Sequence, residues 1–139
     1  MAKPKVKGYG RERELVLLLE RRGWWASRLP ASGRRSGFDV VAAKGGKLVF
    51  FEVKARGSAE PVYLERWRWE EALDAAARAG AEAYLAVRVP PFAGGPRWWF
   101  RPLADPDSVD HNKALFRHPL KERERWVGFE ELLSRLDHA

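Results

Sequence analysis

The sequence predicts an α/β fold, a central mixed β-sheet flanked by helices, in a single domain over residues 1–139. Three observations carry this. Amphipathic segments with helical spacing alternate with short apolar runs rich in Val, Phe, Leu and Trp, in the order helix, three strands, helix, two strands, helix. A Gly45-Gly46 pair joins two of the apolar runs as a hairpin. Finally, 139 residues, 45% of them hydrophobic, without repeats or a linker long enough to split domains, suffice for one substantial core.

Residues 1–7, MAKPKVK, are expected to be a short, flexible basic arm. GRERELVLLLERR (10–22) reads as a helix, with Leu15, Val16, Leu18 and Leu19 as its apolar face and Gly23 as its stop. Glu12 lies on that stripe one turn earlier, pointing toward whatever the helix covers; a first-turn Glu favoured by the helix dipole has the same spacing. WWASRLP (24–30) is a strand, and ASGRRSG (31–37) a flexible basic loop, either a phosphate contact or a plain connector. The hairpin follows. A second helix is expected over 62–79, ending at Gly80, with Trp69, Ala72, Leu73 and Ala76 inward. Leu64 and Trp67 lie off that stripe, as a second contact surface or as a partly buried indole with its neighbour. AYLAVRV (83–89) and RWWFRPL (97–103) are two further strands around the turn PPFAGGP; residues 105–125 look irregular and highly charged; VGFEELLSRLD (127–137) is a terminal helix with Phe129, Leu132, Leu133 and Leu136 inward.

The hairpin SGFDVVAAKGGKLVFFEVKARG (36–57) raises a chemical question, because Asp39 and Glu52 sit inside its apolar runs. If Gly45 and Gly46 are the two turn residues, Lys44 faces Lys47 and Asp39 falls across from Glu52. Alternation puts Lys54 on the same face with Val41, Leu48 and Phe50, and Val49, Phe51 and Val53 on the other. Two acids opposed on a central strand repel unless a cation or a proton compensates, and a divalent metal would serve. A three-residue loop would separate them, and Asp39 at a strand end in water would need no partner.

Composition narrows the chemistry. Lys and Arg number 26 against 19 Asp and Glu, a net charge of +7, which favours a polyanionic partner, nucleic acid first. No apolar run long enough to span a membrane and no lipidation or signal pattern is seen, so a soluble, cytoplasmic protein without a membrane partner is expected. Zero cysteine excludes disulfides, thiolate zinc and cysteine nucleophiles, and His111, His118 and His138 lack metal-ligand spacing. Any metal is therefore held by oxygen, which suits Mg²⁺ or Mn²⁺. The absence of Cys and Gln, the single Asn and Met and the wealth of Arg fit a thermophilic source, though GC-rich codon usage gives the same picture.

Asp39, then Glu52-Val53-Lys54 across a hairpin, after a helix with an inward Glu, resembles the signature of the PD-(D/E)XK nuclease superfamily. More narrowly, residues 7 to 56, with ERELV, a hydrophobic helix, a Gly-aromatic step, R-x-P-x-SG, the D-V-V-A strand and the E-V-K strand, resemble the amino-terminal half of the archaeal-type Holliday junction resolvases, the Hjc group. Beyond that the resemblance rests on a Trp-bearing helix, a W-x-F strand and a terminal FEEL helix. Phe38 stands where the superfamily's name has Pro, and 105–125 has no clear counterpart.

The resemblance implies a restriction-endonuclease-like domain and a Mg²⁺-dependent endonuclease, Mn²⁺ substituting, that cuts four-way junction DNA with paired symmetric nicks in recombination and repair. It implies Glu12, Asp39, Glu52 and the Val53 carbonyl as metal ligands, Lys54 as the group that orients water and steadies charge, and Ser32 as a catalytic loop serine. Arg13 and Arg28 match family positions that meet the phosphate backbone, and Arg34 and Arg35 extend the same loop. It also implies a symmetric homodimer, for which the candidate surfaces are Leu64 and Trp67 and the Trp98-Trp99-Phe100 run. Alternatives are another nuclease of the superfamily acting on other branched DNA, or a catalytically silent DNA-binding module; the intact set Glu12, Asp39, Glu52 and Lys54 argues against the latter.

Overall fold

The computed structural model describes residues 7–30, 38–57, 59–90 and 96–138, the side chains of 7–9 excepted. In chain order the elements are α1 (Lys7–Glu20), β1 (Trp25–Arg28), β2 (Val40–Lys44), β3 (Lys47–Ala55), β4 (Val62–Glu65), α2 (Arg66–Ala79), β5 (Glu82–Arg88), β6 (Trp98–Pro102), β7 (Ser108–Val109), β8 (Lys113–Phe116), a 3-10 turn (Arg123–Arg125), β9 (Val127–Gly128) and α3 (Phe129–Asp137). Six strands form one sheet in the order β1-β2-β3-β5-β6-β9, and β4-β8-β7 form a smaller one. β3 and β5 run parallel and the other paired strands antiparallel, so the sheet is mixed as expected. Among the described residues no helix is long and apolar enough to cross a membrane.

The hairpin has the predicted register, Lys44 opposite Lys47 through to Val40 opposite Phe51. Gly45 and Gly46 sit at φ 56° and 85°, the left-handed values a two-residue turn of this hand needs. Its inward residues alternate between two cores. Val40, Ala42, Val49 and Phe51 face Leu15 and Leu19 of α1 and Leu132, Leu133 and Leu136 of α3. Phe38 and Phe50 face α2 and the small sheet, with Val62, Leu64, Ala72, Ala76 and Phe116. The main sheet is thus covered on both faces, and its strands read as nearly continuous apolar runs for that reason. Leu15 and Leu19 are both fully buried, worth about 1.5–3 kcal/mol each.

Four expectations are corrected. Residues 62–65 are strand β4, not the first turn of a helix: Val62 and Leu64 point in, Tyr63 and Glu65 out, and the helix begins at Arg66. Lys7 belongs to α1 rather than to the arm, the rest of which lies outside the described residues. The stretch 105–125 is not irregular throughout, since it supplies β7 and β8, which pair with β4. And Trp98, Trp99, Phe100 and Leu64, offered as interface candidates, are 3%, 7%, 0% and 4% exposed, because a sheet covered on both faces absorbs the large residues of both. Trp67, at 55%, stays at the surface, along with Tyr63.

Candidate active site

The fold brings five elements to one end of the main sheet. Lys44 Nζ, at the hairpin turn, donates to the Arg22 carbonyl at 3.2 Å, so the end of α1 lies at the turn and its first turns, with Glu12, at the other end. There β1 ends at Arg28, β2 begins after Asp39 and β3 finishes with Glu52, Val53 and Lys54. From the opposite face the crossover between parallel β3 and β5 delivers the first turn of α2, with Arg68, to the same place.

Asp39 lies one residue beyond the β2–β3 ladder. Its N–H donates to the Phe51 carbonyl at 2.9 Å and its Oδ2 accepts the Val53 N–H at 2.8 Å, so it straddles Glu52 instead of pairing with it in regular register. Glu52 is 4% exposed. Arg68 Nη2 stands 3.4 Å and Lys54 Nζ 4.0 Å from Glu52 Oε2. Glu12 accepts from Arg28 Nε at 3.1 Å.

The electrostatics follow from that placement. Burial, then the charge of Asp39 and, more weakly, of Glu12, pushes Glu52 up to about 7; Arg68 and Lys54 oppose this without cancelling it. Burial also raises Asp39, against the Val53 N–H, Lys54, Arg68 and Arg28. Glu12 is raised by burial and by Asp39, against Arg28 and Arg11. Three acids therefore feel one another at a half-open sheet end. As the side chains stand, among the described residues, no three His, Asp or Glu groups are spaced to hold a metal ion, and guanidinium and ammonium groups engage Glu12 and Glu52.

Of the residues singled out in the sequence, Glu12, Asp39, Glu52, Val53, Lys54 and Arg28 converge here. Arg13 is exposed on α1, beside a shallow groove shared with Gly10, Leu17 and Arg21. Ser32, Arg34 and Arg35 lie outside the described residues. Two partners were missed. Arg68 reaches Glu52, and Arg88, at the end of β5, donates to Glu14 Oε1 at 2.9 Å while Trp98 Nε1 holds Glu14 Oε2 at 2.7 Å. The available signal was that a buried Glu needs a cation and that the crossover helix must start at the end of β3.

A sequence model described as "Archaeal holliday junction resolvase (hjc)" matches residues 3–138. Among curated proteins, "Crossover junction endodeoxyribonuclease Hjc" of Sulfurisphaera tokodaii is 34% identical over 89 residues, 62% of each chain. That of Archaeoglobus fulgidus is 34% identical over 111 residues, 78% of this chain and 77% of its own. The aligned region thus spans less than two thirds of the Sulfurisphaera relative. A solved structure of Archaeoglobus fulgidus Hjc, described as a Holliday junction resolvase from an archaeal hyperthermophile, shares the fold with a TM-score of 0.72 at 28% identity, covering 91% of this chain and 94% of the other. Because the family pattern runs through nearly the whole sequence and a solved member has the same fold, this chain belongs to the archaeal Holliday junction resolvase family, Hjc.

Proposed function

We propose that the chain resolves four-way DNA junctions by metal-dependent hydrolysis of phosphodiester bonds, nicking two opposed strands symmetrically. The observation that carries this, beside family membership, is the pairing of half-buried Asp39 with buried Glu52, next to Lys54 at the open end of β3. The net charge of +7 supports a polyanionic substrate.

The donor set fits a hard divalent cation: all oxygen, with Asp39 close enough to push the carboxyl of Glu52 up and both carboxyls raised by burial. Glu12, Asp39, Glu52 and the Val53 carbonyl would hold Mg²⁺, with Mn²⁺ as a substitute; when bound it makes a water more acidic and draws charge from the phosphate. To hold the ion, Glu12 and Glu52 would have to give up their cationic side-chain partners. Asp39 is kept in place by the Val53 N–H. Lys54, partly exposed, orients the attacking water and offsets charge on the phosphorane. Arg13, Arg28 and Arg68 would supply donors to the backbone phosphates, and the loop residues Ser32, Arg34 and Arg35, which lie outside the described residues, are proposed for the same substrate.

A four-way junction offers two strands of like polarity, so a two-fold homodimer presents one site to each. With Trp98, Trp99, Phe100 and Leu64 in the core, the candidate that remains exposed for a partner copy is Trp67, with Tyr63 lining the same depression. A junction labelled on each arm, beside a flap and a linear duplex, tests the reading: paired nicks in the junction with Mg²⁺ or Mn²⁺, none with EDTA and little with Ca²⁺. Equal cutting of all three DNAs, or cutting without metal, sinks it. Light scattering should give twice the 15.9 kDa chain mass for the wild type and a monomer for Trp67→Glu.

A further inference from the structure

Past Lys54 the chain runs into a second depression that neither the acid pair nor the family pattern accounts for. Ala59 and Pro61 form one wall, and Arg117, His118 and Lys121, from the turn after β8, the other; the cup measures about 250 Å³. The chain from Lys54 to Ala59 spans at most about 18 Å, which along the axis of a DNA duplex, at about 3.4 Å per phosphate of one strand, is about five nucleotides.

His118 is what makes the cup more than a basic hollow. The side chain is 1% exposed. Its Nδ1 accepts the Leu120 N–H at 3.1 Å, so the proton of the neutral ring sits on Nε2. Burial, then the charge of Arg56, lowers its pKa and so favours the neutral ring. That Nε2–H is a buried donor without a hydrogen bond; the Arg56 backbone favours protonation slightly but makes no bond of ordinary geometry. A buried donor left unmade is costly, and an acceptor entering the cup removes the cost. Arg117 and Lys121 on the rim set the sign of that acceptor. The acid facing them is Glu122, 3.6 Å from Arg117 Nη1. The wall is fixed from behind, because the Arg117 N–H is held by Asp107 Oδ2 at 2.6 Å.

We propose that this cup is a second phosphate subsite, which takes a backbone phosphate of the bound DNA strand a few nucleotides from the scissile one, with His118 Nε2–H, Arg117 and Lys121 as donors. The subsite rests on the nuclease reading and assigns a role to the charged stretch 105–125. The test uses the whole protein and a four-way junction in which single phosphates of the bound arm are replaced, one at a time, by neutral methylphosphonate. The wild type should lose about fivefold in affinity at one position within five nucleotides of the nick. Arg117→Ala with Lys121→Ala, both exposed, should lose nothing further there and keep wild-type losses elsewhere. Equal losses in both proteins at every position overturn the subsite. The same scan on linear duplex reads this coupling whichever DNA the protein prefers, so a failure of junction selectivity stays distinct from a failure of the cup.

Discussion

At one end of the sheet Asp39 and Glu52 meet with only partial compensation; at the end of β6, Arg101 meets Asp107 with nearly full compensation. Arg101 is fully buried between the rings of Phe116 and Trp126, at 5.3 and 5.5 Å, and donates to the Asp105 carbonyl at 2.8 Å and to Asp107 Oδ2 at 2.9 Å. Asp107 also receives the Arg117 N–H and Arg125 Nη1. Burial alone would raise Asp107, but these donors outweigh it and hold the carboxyl at about 2. Glu52 is pushed up to about 7 by its deeper burial first and by the charge of Asp39 second, and Arg68 and Lys54 do not cancel them. One fold thus contains a charge cluster that closes on itself and one left open. The closed cluster fastens the small sheet to the large one; in the open one the chain's own cations, Arg68 and Lys54, fall short of compensating the acids.

The largest effect expected from breaking this contrast is on catalysis. Glu52→Gln or Asp39→Asn should lower single-turnover cleavage of a junction about a thousandfold or more, while the dissociation constant stays within a few-fold, because backbone contacts supply most of the affinity. In the closed cluster, Arg101→Met takes the buried cation from Asp107, leaving it the Arg117 N–H and Arg125, and should cost about 3 kcal/mol in denaturant unfolding, with cleavage by the remaining folded protein unaltered.

Acidity separates the clusters more finely. Glu52 has a folded value of about 7 against an ordinary 4.5, so between those values the folded protein binds the proton that the unfolded chain has lost. Stability without metal should therefore fall as pH rises from about 4.5 to about 7, by on the order of 3 kcal/mol. Mn²⁺ should restore the melting temperature at pH 8 and do little at pH 5, and Glu52→Gln should flatten the curve. A rise in stability over that interval would contradict the burial of Glu52. Asp107 has the opposite sign: its contribution is present above the ordinary 3.8 and is lost as pH falls through about 2, so Asp107→Asn should cost about 2 kcal/mol at pH 7 and almost nothing at pH 2. The smallest change is expected from Arg68→Ala. Losing the guanidinium 3.4 Å from Glu52 raises that carboxyl further, which should move the acid limb of the cleavage profile to higher pH and tighten Mn²⁺ binding about threefold.

The hairpin was legible in the sequence because a two-residue glycine turn leaves one register, and that register places Asp39 and Glu52 together. α1 and α3 were legible because their stripes face a single core. What alternation could not tell was that the sheet is covered twice: Trp98, Trp99 and Phe100 were assigned to opposite faces correctly, yet both faces are interior. β4, with four residues running into RWRWEE, was absorbed into the helical pattern after it, and β7 and β8 are too short to show a period. Arg68 was invisible for a different reason, since its contact with Glu52 is made by the crossover and not by local spacing. Asp39 was placed beside Glu52, but its offset from the ladder depends on its carboxylate capturing the Val53 N–H.

The parallel pairing of β3 with β5 also sets the order in which the molecule can assemble. The hairpin closes through neighbouring residues and forms in about 1–10 μs, whereas β5 must return across β4 and α2 before it can lie beside β3. Until that happens Asp39 and Glu52 remain hydrated and indifferent to one another. The energy of confining two acids is then charged to the docking of β5 and α2, which places it on the folding barrier. Refolding without divalent ions should accordingly quicken as pH is lowered from 7 toward 5, with unfolding much less affected.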